Sequence, residues 1–233
     1  MSILEQNQNI KIREKEIIAD SEKNPCNICI WVDKKTCEDC SINNELQCHL
    51  DLKYSVMFGL TFFSFAIPAA IGIFQLGIGS LLFYLALSTW IVYLIIFFLI
   101  WEPQMLCSHC PYYAEGGTKI LHCYANGGFI KTASFKPYPM NKSEQIQFVI
   151  GILLIGLIPF VFLIIGQQFL LLGISALGLV IWLIVLKTKI CTVCINFSCP
   201  FNSVPKDIVD EFLKKNPIMR EAWEKSGYEL DKN

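Results

Sequence analysis

The residues able to do chemistry in this chain are its eleven cysteines, and they are spaced for ligation rather than scattered. Cys26, Cys29, Cys37 and Cys40 form two C-x2-C pairs separated by seven residues. A C-x2-C turn lets two sulfurs converge on one ion, and four thiolates complete the tetrahedral shell of zinc or a single iron, or the corners of an iron–sulfur cluster. The segment around them holds Asp33, Lys34, Lys35, Glu38 and Asp39, which leaves little apolar core in which a cysteine would serve as packing.

Two further sets contain three cysteines each. Cys107, Cys110 and Cys123 are arranged C-x2-C-x12-C, with His109 and His122 inside the set and Pro111 directly after the pair. Three thiolates call for a fourth ligand. His122 is the local candidate, although residues adjacent in sequence share one ion only across a sharp turn, and His109 is expected to point away. Cys191, Cys194 and Cys199 follow as C-x2-C-x4-C, with Pro200 after them. Cys48, beside His49, is the remaining thiol and stands to complete either incomplete set.

Zinc has no redox chemistry, so zinc here would fold the loops into a compact surface; iron–sulfur clusters would instead make the protein an electron carrier. The Cys110-Pro111 and Cys199-Pro200 steps resemble those that end ferredoxin ligand runs, while the C-x2-C-x2-C run of two-cluster ferredoxins is absent. The reading favours iron–sulfur for the second and third sets, and zinc or a single iron for the first. A dithiol oxidoreductase is disfavoured, because the pairs lack a strand-and-helix surround of the thioredoxin kind and each has a third cysteine nearby. No phosphate-binding loop of the Walker type and no His-Glu-x-x-His motif occurs.

The elements that must position these thiols are membrane helices. Residues 54–101 and 145–186 contain no charged residue. A helix crossing a hydrocarbon core of about 30 Å needs roughly 20 residues, so each tract suits two crossings. Gln75, Gly77 and Gly79 break the first tract near its middle, and Gln167, Gln168 and Gly173 break the second. Spans are predicted at 54–74, 78–101, 146–166 and 169–186, forming two helical hairpins in an all-α membrane protein. Pro68 and Pro159 fall within the first and third spans, where neighbouring helices satisfy the freed backbone groups. Tyr54, Trp90, Trp101 and Trp182 suit interfacial anchors, the second and fourth of these serving equally as packing residues. With no Asp, Glu, Lys, Arg or His in the spans, a proton relay, a charged ion pathway and histidine-ligated haem are disfavoured.

Orientation follows from the bases. Residues 1–53, 102–144 and 187–233 carry seven, four and eight of them, together all nineteen Lys and Arg, and the hairpin tips carry none. Lys and Arg are retained on the cytoplasmic side during insertion, so both termini and the central loop are expected there, in a multi-pass protein of the cell membrane. Every cysteine shares that side, where reduced thiols favour metal over disulfides. Residues 1–30 hold no apolar stretch of the signal-peptide kind.

The two halves look alike. Each tract has a proline in its first helix, Gln and Gly at its tip, and a C-x2-C pair shortly after its second helix. A duplicated unit of this kind would relate the hairpins by an axis along the membrane normal and bring Cys107, Cys110, Cys191 and Cys194 together as one four-thiolate site.

The chain therefore divides into a polar arm (1–24), a cysteine-rich module (25–53), a first transmembrane hairpin (54–101), a cysteine-containing loop (102–144), a second hairpin (145–186), a cysteine-rich segment (187–203) and amphipathic helices (204–233). In the last of these, Pro205 stands at a first helical turn, and Ile208, Phe212 and Leu213 share one face. The expected partners are the lipid bilayer and a protein on the cytoplasmic face; mixed charges with a formal net of −1 leave no nucleic-acid footprint. The expected function is an iron–sulfur electron-transfer subunit of a membrane-associated redox complex, a carrier rather than a stand-alone enzyme. The alternative is a zinc-stabilised membrane scaffold or assembly factor.

Overall fold

The computed structural model describes residues 22–32, 37, 39–43, 45–123, 125 and 127–231. All but the end of the polar arm at 1–24 lies outside these residues. Among the described residues the protein is helical, with a single isolated bridge between Ile120 and Ile130 and no strand. Four helices are long and apolar enough to cross a membrane.

The first, α1 (Leu52–Phe74), starts two residues earlier than the charge pattern implies, because the Asp51 carboxylate accepts the Lys53 N–H at 2.9 Å and caps the helix. The connection to α2 passes Gly77 and Gly79, both at positive φ, where a side chain would strain the backbone. The helix α2 (Leu81–Ile96) then opens on Ser80, whose hydroxyl accepts the Phe83 N–H at 3.1 Å. It does not stop at Trp101. A π-helical turn (Phe97–Trp101) and a further turn (Glu102–Met105) carry the helical span on to His109, so Glu102 and Cys107 ride on it.

The third helix, α3 (Lys142–Ile165), begins in a capping box: the Asn141 side chain accepts the Glu144 N–H and the Glu144 carboxylate accepts the Asn141 N–H, each at 2.9 Å. The fourth, α4 (Phe169–Val185), also ends in a π-helical turn (Leu186–Ile190), closed by the Cys191 N–H on the Leu186 carbonyl at 2.7 Å. Both helices that lead into a C-x2-C pair thus finish with the same local distortion.

Packing is heaviest between α1 and α4, with α2 lying against α3. The crossing of α1 and α4 is close because Gly178 presents no side chain to the Ser64 backbone. An apolar environment offers no water to satisfy polar groups, so buried donors find carbonyls: Trp90 Nε1 donates to the Ile155 carbonyl at 3.0 Å and the Tyr93 hydroxyl to Gly151 at 2.6 Å. Trp90 and Trp182 are buried packing residues rather than interfacial anchors. Outward faces are apolar, with Leu60, Leu81, Leu170 and Leu177 all exposed, as a lipid-facing surface requires.

The segments outside the spans share one core. Ile28, Ile42, Tyr112, Leu121, Ile195 and Phe212 come from four segments of the chain and pack into a single apolar cluster at the end of the bundle where the cysteines lie. Two C-terminal helices, α5 (Lys206–Lys215) and α6 (Pro217–Lys225), complete it through Phe212, Leu213, Met219 and Trp223. Pro205 caps α5 from outside rather than occupying its first turn. Buried Asp210 holds this region together, accepting from Lys206 Nζ at 2.8 Å, the Tyr228 hydroxyl at 2.8 Å and the Asp231 N–H at 3.0 Å. Burial alone would raise its pKa, but these three donors outweigh it and hold the carboxyl below the usual range.

Candidate metal-binding site

Both three-cysteine sets open onto the same space. Cys107, Cys110 and Cys123 from the central loop and Cys191, Cys194 and Cys199 from the segment after α4 line one cavity of about 120 Å³ at the mouth of the bundle. A single water needs on the order of 10–15 Å³ of such space, so the cavity is several waters in size. Its floor is the helix bundle itself, with Phe97, Phe148, Ile155 and Trp182 beneath the thiols. Glu102, carried there by the extension of α2, lines it as well.

Local turns set the cysteines in place. The Cys110 N–H donates to the Cys107 carbonyl at 2.9 Å, closing the short helical turn Cys107–His109, and Pro111 starts a second turn immediately afterwards. On the other loop Asn202 Nδ2 donates to the carbonyls of Cys194 at 2.8 Å and Asn196 at 3.1 Å, and the Asn202 N–H to that of Cys199 at 2.9 Å. The two loops are tied to each other by Asn196, whose Nδ2 donates to the Leu106 carbonyl at 3.1 Å. Sequence reasoning missed these asparagines; their positions flanking Cys199 were the available signal.

The two loops bring their cysteines into one another's field. Cys110 lies in the field of Cys194, Cys123 and Cys199, and Cys199 in that of Cys194 and Cys191. Cys191 also lies in the field of Cys194, and Cys107 bears on Tyr113. Among the described residues, no three histidine, cysteine or acidic side chains are gathered into a ready-made metal site.

Burial governs the chemistry of these thiols. Desolvation pushes Cys110 and Cys199 far above the ordinary thiol range, with neighbouring cysteines adding to the shift, and lifts Cys191 to about 12. A thiol so raised is protonated and inert at neutral pH, which weighs against nucleophilic or dithiol-exchange chemistry. Bound metal is the agent that deprotonates such a thiol outright.

The histidines have other partners. His109 is buried, with Nδ1 2.7 Å from the Tyr138 carbonyl and Nε2 3.3 Å from Glu144 Oε1, so it points away from the thiols as the spacing implies. His122 sets Nδ1 2.6 Å from Glu115 Oε2 and does not line the cavity.

The N-terminal cysteines are regrouped. Cys29, Cys37, Cys40 and Cys48 line a second cavity of about 380 Å³, together with Asn27, Asp39 and Lys215. Cys48 joins this set rather than either three-cysteine set, and Cys26 does not line the cavity. Desolvation lifts Cys48 to about 12, with Cys29, Cys40 and Cys37 contributing.

No protein-family model, curated protein or solved structure matches the chain.

Proposed function

We propose that this protein is a membrane-embedded electron carrier, a subunit of a membrane-associated redox complex whose thiols at the mouth of the bundle hold an iron–sulfur centre. One observation carries the reading: six cysteines from two loops far apart in sequence line a single cavity floored by membrane helices. Four thiolates suffice for a cluster, and Cys110, Cys123, Cys194 and Cys199 are the nominated four. When bound, the centre would exchange single electrons at a potential set by its burial and hydrogen bonding. The protein's part is to place the sulfurs on turns fixed by Asn196 and Asn202, to keep bulk water out with Phe97, Phe148 and Trp182, and to anchor the assembly in lipid. Cysteine-lined space, apolar walls and charge confined to the ends of the spans fit such a centre better than they fit transport or hydrolysis.

A second reading rests on the shared apolar core. Since the N-terminal module, both loops and α5 and α6 pack as one cluster, redox-silent zinc would staple them into a docking scaffold or assembly factor. Anaerobic purification with metal and acid-labile sulfide analysis separates the two. Iron with sulfide at near-integral stoichiometry is expected; stoichiometric zinc without iron would replace the carrier by the scaffold.

The distribution of bases favours the cytoplasmic side of a cell membrane for the cysteine end, where a soluble protein would supply or accept electrons. A membrane-impermeant thiol reagent applied to intact cells is therefore expected to leave Cys26, Cys107 and Cys191 unlabelled, and reaction at any of them before permeabilisation would reverse the orientation.

A further inference from the structure

We infer that Cys29, Cys37, Cys40 and Cys48 form a second, all-thiolate site for a tetrahedral thiophilic divalent cation of the zinc class, and that Cys26 is not a ligand. The inference rests on the reading that clustered thiols in this protein hold metal, but not on which metal the six-cysteine cavity holds.

Three observations converge on this set. First, these four cysteines line one cavity, with Cys26 outside it. Second, the spacing is symmetric about the central pair: Cys29-x7-Cys37-x2-Cys40-x7-Cys48. The Cys40 N–H donates to the Cys37 carbonyl at 3.1 Å, the tight turn that lets a C-x2-C pair converge on an ion. The other C-x2-C pair is interrupted by Asn27 at φ +48, in a turn held by Asn24, whose side chain bonds both the N–H of Ile28 at 2.8 Å and its carbonyl at 3.0 Å. Third, the site already has an outer shell. Asn216, fully buried, accepts the Cys29 N–H on Oδ1 at 2.7 Å and donates Nδ2 to Cys29 Sγ at 3.3 Å, while Nδ2 also reaches the Phe212 carbonyl at 2.7 Å. An N–H donor aimed at a sulfur is the arrangement that orients a metal-bound thiolate.

The choice of Cys48 over Cys26 has a mechanical consequence. Cys48 lies just ahead of Asp51, the cap of α1, and the Gln47 N–H donates to the Val193 carbonyl at 2.8 Å, within the loop that carries Cys191 and Cys194. Metal at this site would fasten the N-terminal module to the first membrane helix, to the loop that carries Cys191, Cys194 and Cys199 and, through Asn216, to the junction of α5 and α6. Tetrahedral all-cysteine ligation without an open position is the pattern of a structural rather than a catalytic zinc site.

The test uses the full-length protein in detergent, loaded with Zn²⁺ or, for spectroscopy, Co²⁺. Cys48→Ser is expected to lower bound metal by one equivalent and to remove the matching sulfur-to-cobalt charge-transfer intensity, and Cys26→Ser to leave both unchanged. The difference is one equivalent whether the other cavity is loaded or not, so failure of the electron-carrier reading does not imitate failure here. Should Cys48→Ser not fold, alkylation of the unaltered protein gives the same answer: Cys26 is expected to react while Cys29, Cys37 and Cys40 are protected until a chelator strips the metal. Loss of the equivalent in Cys26→Ser, retention in both variants, or protection of Cys26 by metal would overturn the assignment.

Discussion

Serine at Cys194 is expected to remove the metal held through Cys110, although the two residues sit on loops separated by two membrane helices. Outer-shell substitutions commonly cost about 10–100-fold in metal affinity, and loss of a ligand should cost at least that much. Cys110→Ser, Cys123→Ser and Cys199→Ser should behave alike, and the double variant Cys110→Ser, Cys194→Ser should be no worse than either single one, as for residues that act as one unit. Metal content of the purified variants decides the matter. Independent, additive losses from the two loops would mean two separate sites and would remove the basis for a shared centre.

Leucine at Gly178 is expected to unseat α1 from α4. A β-carbon there would stand 2.5 Å from the Ser64 carbonyl oxygen, 2.7 Å from the Ser64 carbonyl carbon and 2.8 Å from the Phe65 nitrogen. These are backbone atoms of a neighbouring helix and cannot swing aside, so the helices must separate. Overpacking of this sort typically costs about 1–3 kcal/mol, and more where backbone has to move. Gly173 lies on the same helix with open space around its β position, so Gly173→Leu should be nearly neutral. Thermal unfolding in one detergent compares them. Equal Tm values for the two variants would show that the tight crossing does not exist.

The four helices were legible because charge is absent from the tracts that form them and because flexible residues punctuate each tract. Their ends were less so. The second span was expected to end at Trp101, since Glu102 reads as the first polar residue of a loop. In the folded protein Glu102 is buried, and backbone hydrogen bonding continues through it, from the Leu106 N–H to the Glu102 carbonyl and from the His109 N–H to the Leu106 carbonyl. Trp90 and Trp182 were ambiguous for a related reason: an indole near a span's end and one in a helix crossing look identical in sequence. The convergence of the two loops was anticipated from the likeness of the halves, and the cavity takes in the lone Cys123 and Cys199 as well as the two adjacent pairs.

Reading C-x2-C pairs as units joins Cys26 to Cys29 and leaves Cys48 to complete either three-cysteine set, whereas in the fold Cys48 lines the cavity of Cys29, Cys37 and Cys40. The symmetric seven-residue spacing around Cys37 and Cys40 was equally visible, but only the fold shows that Asn24 and Asn27 turn the chain between Cys26 and Cys29 and that Asn216, far along the sequence, attends the Cys29 sulfur. Contacts between segments so distant leave no local periodicity to read.

Low-temperature electron paramagnetic resonance of membranes prepared anaerobically, before and after reduction with dithionite, tests most directly whether the six-cysteine cavity holds a redox-active centre. An iron–sulfur signal is expected that appears or changes on reduction and is absent when Cys110 or Cys194 is serine. An unchanged spectrum from membranes whose purified protein contains zinc and no iron would contradict it.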